Sequence, residues 1–360
     1  MTILDYSIET NYTKRQMFLD GGVSIQRFDE FAYKKLSDYE KIQFGAFWGP
    51  EEVTLTKDKI DFNEASDTVR HVFTTNLLRQ TTIDSVQARS PIQIFSPVAS
   101  VPELESLVQW WSAFENIHSK SYSHIIRNIY NVPSDQFNKI HHMPEITNMV
   151  AGINRYYEDL HLLNCKVALG EYVSEHAHVK AIWLALITSY GLEAIRFMVS
   201  FITSLVMVEN KIFIGNGNII SLILQDELLH ADWTAYIINQ VVKDDPRFKQ
   251  VKHELQHEAQ ALLQAVIDEE KAFAGFITKK GPLLGVNHKI LVDSVDWTAQ
   301  HALPRIDMKH SSKIKSSPTP WYNKHLNTNK KQSALQETEN VAYLIGAVTS
   351  EINYDELPEI

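Results

Sequence analysis

Cysteine is nearly absent. Cys165 is the one thiol in 360 residues, which excludes an intrachain disulfide framework and a thiolate metal cage. A free cysteine of this kind is expected to be buried or half-buried. Basic residues are also in deficit. The 34 Lys and Arg face 44 Asp and Glu, a formal charge of −10. Sequence-independent nucleic-acid binding needs a basic face, so that function class is set aside. No stretch shows sustained strand alternation, and no repeat of solenoid length is present. The most apolar run, Ala181 to Val208, is interrupted by Glu193 and Arg196 near its middle. Charges at bilayer depth are costly, so a buried core helix is expected there and no membrane partner. The start, Met1-Thr-Ile-Leu-Asp-Tyr-Ser7, has neither a basic cluster nor an apolar run. It does not read as a secretion signal, and a cytoplasmic location is the expectation.

What is present is enough apolar side chain, 44% of residues, for a large core. Prolines are few and stand mostly at breaks: Pro91, Pro97, Pro102, Pro133 and Pro144. Between them the chain predicts helices over roughly 64–88, 102–129, 144–169, 177–209, 212–242, 247–278 and 285–300. Ser100-Val-Pro-Glu103 has the spacing of a capping box for the second of these. Three regions follow. Residues 1–63 form an N-terminal segment packing on a bundle, with a turn at Gly49-Pro50. Residues 64–305 form an all-α helical domain. Residues 306–360 form an extended, partly flexible tail, polar up to about residue 340. Its end regains Tyr343-Leu-Ile-Gly, Ile352, Tyr354, Leu357 and Ile360, a composition suited to docking on a partner.

Two strings carry the chemistry: Glu115-Asn-Ile-His118 and Glu227-Leu-Leu-His230. Three residues apart on a helix, a carboxylate and an imidazole share one face. The spacing alone is common, and Glu175-x-x-His178 and Glu254-x-x-His257 repeat it. Context separates them. Glu115 and His118 stand among Trp110, Trp111, Phe114 and Ile117, and Glu227 and His230 end the apolar run Ile219 to Leu224. Acids in such surroundings must be paired, protonated or metal-bound. The other two strings sit in polar stretches and are expected to be solvated. Asp84 and Glu193 occupy similarly apolar settings. Four helices thus offer Asp84, Glu115, His118, Glu193, Glu227 and His230. Four carboxylates carry a charge of about −4, which balances two divalent ions. Hard oxygen ligands with imidazole suit iron or manganese. Two Glu-x-x-His helices with one carboxylate from each of two more are the ligand set of a ferritin-like bundle. The competing reading pairs these acids with core cations such as Arg196 and Arg127.

Tyr122 lies four residues beyond His118 and seven beyond Glu115, within about 60° of the same helix face. It is directed at the metals. At this point the sequence resembles the small, radical-generating subunit of class I ribonucleotide reductase, of the bacterial and phage tyrosyl-radical type. The resemblance runs over most of the chain. It rests on Phe47-Trp48-x-Pro50-Glu51-Glu52-Val53, Asp84-Ser-Val-Gln-x-Arg89-Ser-Pro91, Glu115-x-Ile-His118-Ser-x-Ser-Tyr122-x-His124, Leu192-Glu193-Ala-Ile-Arg-Phe197, Asp226-Glu227-x-x-His230 and Tyr343-Leu-Ile-Gly.

The resemblance implies a ferritin-like bundle with additional helices and a flexible C-terminal tail. It implies two iron ions per chain on the six ligands, with di-manganese compatible with the same set, and a stable radical on Tyr122. Phe197, Phe201 and Ile223 match residues that shield such a radical. Trp48 and Asp226 match an electron-transfer route, and Tyr343 the tail tyrosine that relays the radical. The implied partners are a second copy of the chain and the large subunit, bound through the tail. The large subunit reduces ribonucleotides to deoxyribonucleotides for DNA synthesis. A phage-encoded chain would act in the host cytoplasm. The sequence departs from the family pattern in a shorter stretch at 165–182, in Gln225 where a basic residue is common, and in the second tail tyrosine, Tyr354. Tyr122 argues against the manganese/iron subtype, which has phenylalanine there. Three rivals remain. One is a ferritin-like di-iron oxidase or storage protein. Another is a zinc metallopeptidase using His253, Glu254 and His257 of His253-Glu254-Leu-Gln-His257. The third is a helical scaffold without enzymatic function.

Overall fold

The computed structural model describes residues 11–326, and Tyr343 and Tyr354 lie outside them. The regular structure among the described residues is helical, with two isolated β-bridges and no strand; residues 11–33 and 307–319 carry no helix. The helices are α1 (Lys34–Gly45), α2 (Thr56–Glu64), α3 (Asp67–Gln87), α4 (Ser90–Ile94), α5 (Pro102–Ile129), α6 (Pro133–Ile140), α7 (Pro144–Ala168), α8 (Glu175–Gly191), α9 (Met198–Glu209), α10 (Ile214–Asp244), α11 (Pro246–Glu254), α12 (Gln256–Ile277) and α13 (His288–Ala302). The all-α expectation holds. Pro102, Pro133, Pro144 and Pro246 each open a helix, where the missing N–H costs nothing.

Helices α3, α5 and α10 surround the core with the α8–α9 pair; α3 packs on α5 and α9, and α10 on α5, α8 and α9. The expected single helix at 177–209 is instead two. A π-helical turn at Leu192–Arg196 joins them. The two charges that interrupt the apolar run, Glu193 and Arg196, both fall within this turn, and no Gly or Pro lies within it. The apolar stretch Glu175–Glu209 is long enough to cross a membrane, but most of it is buried in the bundle.

Helix α10 starts under unusual constraint. Phe213 takes a left-handed backbone at φ 52°, and its N–H donates to Asp61 Oδ2 at 2.9 Å. Asp58, buried on α2, accepts from the N–H groups of Gly215 at 3.0 Å and Asn216 at 2.6 Å. Two carboxylates thus satisfy the first donors of the helix and complement its positive end. A Cβ on Gly217 would lie 1.9 Å from Val208 Cγ2, so glycine lets α10 approach α9.

Several local expectations fail for physical reasons. Ser100 and Glu103 form no capping box. Ser100 Oγ accepts from Asp20 N at 2.8 Å and Glu103 Oε1 from Tyr33 N at 2.7 Å, so both anchor the N-terminal segment. That segment holds two helices, α1 and α2. The helix expected over 247–278 breaks at Leu255. Cys165 is exposed rather than buried. Arg196 pairs with Glu269 at 2.6 Å and Arg127 faces solvent, so neither neutralises the core acids. Beyond α13, Ile306, Met308, Thr319 and Tyr322 are buried, and the chain up to Leu326 packs back on the bundle.

Candidate metal centre

Helix α3 brings Asp84, α5 brings Glu115 and His118, the π turn brings Glu193, and α10 brings Glu227 and His230; all six are buried. Their ligand atoms form two overlapping groups, each spanning no more than 4.8 Å. One group is Asp84, Glu115, His118 and Glu227; the other is Glu115, Glu193, Glu227 and His230. Glu115 and Glu227 belong to both. The two groups thus share two carboxylates, with Asp84 and His118 on one side and Glu193 and His230 on the other, an arrangement that could hold a cation in each.

The donor atoms fit such a pair. Both Asp84 oxygens, Glu115 Oε2, Glu193 Oε2, both Glu227 oxygens, His118 Nδ1 and both His230 nitrogens are buried without a hydrogen-bond partner. They nonetheless crowd together. His230 Nδ1 is 2.9 Å from Glu115 Oε1, and His118 Nδ1 is 3.2 Å from Glu227 Oε1. Buried acceptors converging without donors are costly unless a cation stands among them. All-oxygen-and-imidazole donors suit iron or manganese over a thiophilic metal.

The field inside the cluster moves its protons. Burial drives the Asp84 carboxyl well above the usual range, and the Glu115 charge adds to it. Glu227 is raised in the same way by burial, Glu115 and Glu193. Burial also acts upward on Glu115, but the imidazoles of His118 and His230 pull it down to about 2. Burial opposes a charged His118, yet Asp226 and Glu115 hold it up at about 10. The upward shifts of Asp84 and Glu227 reflect burial and mutual carboxylate repulsion, which divalent ions would neutralise.

One side of the cluster leads outward. His118 Nε2 lies 3.1 Å from Asp226 Oδ2, which also accepts from Trp48 Nε1 at 2.8 Å. In the neutral form that a metal requires, donating from Nε2 would leave His118 Nδ1 as a lone pair toward the carboxylates. Gln43 Nε2 donates to Asp226 Oδ1 at 2.9 Å. The rings of Trp48 and His118 stack with centroids 6.3 Å apart. Tyr122 is fully buried, and burial followed by the charge of adjacent Asp84 raises its phenol well above the ordinary value. Phe197, Phe201 and Ile223 are buried as well. Phe197 and Phe201 line a cavity of about 300 Å³ that reaches Glu193 and Glu227.

Sequence reasoning missed three contacts. Trp111 Nε1 is shared between Glu115 Oε1 at 3.2 Å and Glu193 Oε1 at 3.1 Å. Its position four residues before Glu115 was the available signal. Gln87, one turn after Asp84, donates to Glu193. Gln43 comes from α1, and no spacing pointed to it.

The decoy strings separate cleanly. Helices α11 and α12 divide at Leu255, so His253, Glu254 and His257 do not share a helix. Glu254 pairs with Lys180 at 3.0 Å and His176 at 3.0 Å, and His257 is exposed. The zinc-peptidase reading fails on that geometry. Glu175 is exposed and pairs with Arg247. His178, expected to be solvated, is buried and bonds Asn164 Oδ1 at 2.7 Å.

Four helices around a buried cluster of four carboxylates and two histidines define a ferritin-like protein with a candidate dinuclear metal centre. The family model described as "Ribonucleotide reductase, small chain" matches residues 26–317, and the chain belongs to that family. It is 37% identical to the ribonucleoside-diphosphate reductase subunit beta of Buchnera aphidicola subsp. Acyrthosiphon pisum, over 97% of this chain and 96% of the relative. Its fold matches the ribonucleotide reductase R2 subunit from Clostridium botulinum with a TM-score of 0.79 at 20% identity, over 90% of this chain and 98% of that one. It also matches the dimanganese(II)-NrdF of Streptococcus sanguinis, with a TM-score of 0.71 at 17% identity over 84% and 99%.

Proposed function

We propose that this chain is the radical-generating small subunit of a ribonucleoside-diphosphate reductase. The observation that carries the reading is the pair of overlapping ligand groups with the buried phenol of Tyr122 beside Asp84. Asp84, Glu115, His118, Glu193, Glu227 and His230 would hold two metal ions. Iron is the proposed metal, and di-manganese, named for the Streptococcus sanguinis protein, is the alternative on the same ligands. Bound there, the pair supplies, with dioxygen, the one-electron oxidation of a nearby phenol. Tyr122 is the group oxidised. A neutral phenoxyl requires the hydroxyl proton to leave with the electron, and Asp84 is the carboxylate that faces it. Phe197, Phe201 and Ile223 keep water and reductants from the product.

The outlet runs through hydrogen bonds. Asp226 Oδ2 joins the His118 imidazole to the Trp48 indole. Trp48, buried at 4% exposure, is the relay toward the protein surface. Tyr343 takes the next step to a large subunit that binds the tail and reduces the ribonucleotide. One cysteine is too few for that reduction to occur on this chain. We propose also that two copies associate, that the bundle of 64–305 carries the site, that residues from 306 onward lead to the docking tail, and that the protein is cytoplasmic.

Deoxyribonucleotide formation by iron-loaded protein with a large subunit tests this. Deleting residues 341–360 should abolish turnover and leave the radical at full yield. Loss of the radical on deletion would contradict the docking role, and turnover by the truncated chain would contradict the relay.

A further inference from the structure

Glu193 is gripped on one oxygen only. Oε1 lies within hydrogen-bond reach of Trp111 Nε1, at 3.1 Å, and of Gln87 Nε2. Oε2 has no hydrogen-bond partner and stands 3.5 Å from His230 Nδ1. A carboxylate oxygen accepts, so Gln87 must present its NH2 to Glu193 and turn Oε1 away. There it meets the hydroxyl of Tyr157 at 3.1 Å. The Tyr157 oxygen in turn lies 2.8 Å from Ser189 Oγ. Tyr157 has one proton and donates it to Gln87, so Ser189 donates to Tyr157. The chain therefore has a single direction: Ser189 to Tyr157 to Gln87 to Glu193. All four side chains are buried.

We propose that Gln87, oriented by Tyr157 and Ser189, is a positioning residue that makes Glu193 a one-oxygen ligand through Oε2. The inference rests on the metal reading above. Two N–H donors on Oε1 lower its basicity and fix the carboxylate plane, so only Oε2 is offered to a cation between Glu193 and His230. Gln87 ends α3, one turn beyond Asp84. The helix that supplies a ligand to one cation position thereby shapes a ligand of the other. Tyr157 comes from α7 and Ser189 from α8, helices that give no ligand themselves. The Tyr157 hydroxyl satisfies Gln87 Oε1 on the far side, and a flipped Gln87 would set that oxygen against the Glu193 carboxylate and leave it without a donor.

The test uses Mn2+ alone as the probe. Crystals of the parent, Gln87→Leu and Tyr157→Phe are equilibrated across a Mn2+ series, and occupancy at each position is read separately from anomalous scattering. In Gln87→Leu the Glu193–His230 position should need roughly tenfold to a hundredfold more Mn2+. The Asp84–His118 position should shift less than about threefold, and Glu193 should swing to bind through both oxygens. Tyr157→Phe removes one hydroxyl, keeps the fold if Gln87→Leu does not, and should give a smaller shift at the same position. A parent that fills both positions while both variants keep its occupancies and one-oxygen Glu193 overturns the proposal alone. Equal weakening at both positions overturns it too, since that is general destabilisation. A parent that binds no Mn2+ overturns the metal reading and the proposal with it.

Discussion

Asp226 holds three buried donors on two oxygens: Gln43 on Oδ1, and Trp48 and His118 on Oδ2. Asp226→Asn keeps the shape but offers a single acceptor oxygen, so at least one buried N–H loses its partner. The imidazole also loses the negative group that fixes its tautomer. Metal affinity should fall roughly tenfold to a hundredfold, measured as Mn2+ bound per chain in equilibrium dialysis. Unchanged affinity would mean that Asp226 does not orient His118. At this scale the candidate site was largely legible. The i,i+3 spacing and apolar flanks named six side chains that the fold brings into one cluster, and helix geometry placed Tyr122 beside them. Gln43 and Gln87 were not legible as partners. They are uncharged amides from other turns or helices, and only tertiary packing gives them their roles. His178 shows the reverse error, because polar flanks concealed a buried residue satisfied by Asn164.

Elements meet here through small residues and one buried ion pair. Gly217→Ala would drive a Cβ into Val208 and push α10 off α9. A cost of about 1–3 kcal/mol in urea unfolding is expected, with partial recovery in Gly217→Ala/Val208→Ala. Absence of recovery would place the strain elsewhere. Arg79 on α3 and Glu270 on α12 form an ion pair with both side chains fully buried. Glu270 also accepts Val199 N at 2.8 Å near the start of α9, so three helices share one carboxylate. Arg79→Met alone should cost about 3–5 kcal/mol by leaving that charge buried. Arg79→Met with Glu270→Leu should cost less than the two single changes added, as a double-mutant cycle would read. Helix identities were legible because prolines and apolar spacing mark them. The π turn at Leu192–Arg196 was not, since two charges in an apolar run carry no mark of one extra residue. The break at Leu255 was also hidden, within a stretch of good helix formers.

The whole molecule is a bundle with repelling carboxylates at its centre, and its stability should depend on what neutralises them. On the proposed reading two divalent ions would bind the folded chain and find no comparable site in the unfolded one. Loading with Mn2+ at about a hundredfold above Kd should add about 2.7 kcal/mol per site. The thermal midpoint should rise by several degrees and fall back on chelation. No change in midpoint would argue that the cluster does not bind the metal. The central claim joins that centre to Tyr122, and electron paramagnetic resonance of iron-loaded protein exposed to oxygen tests it most directly. The parent should give a tyrosyl radical signal with about two irons per chain, and Tyr122→Phe should lose that signal while keeping its iron. A persistent tyrosyl signal in Tyr122→Phe, or none in the fully loaded parent, would contradict the account.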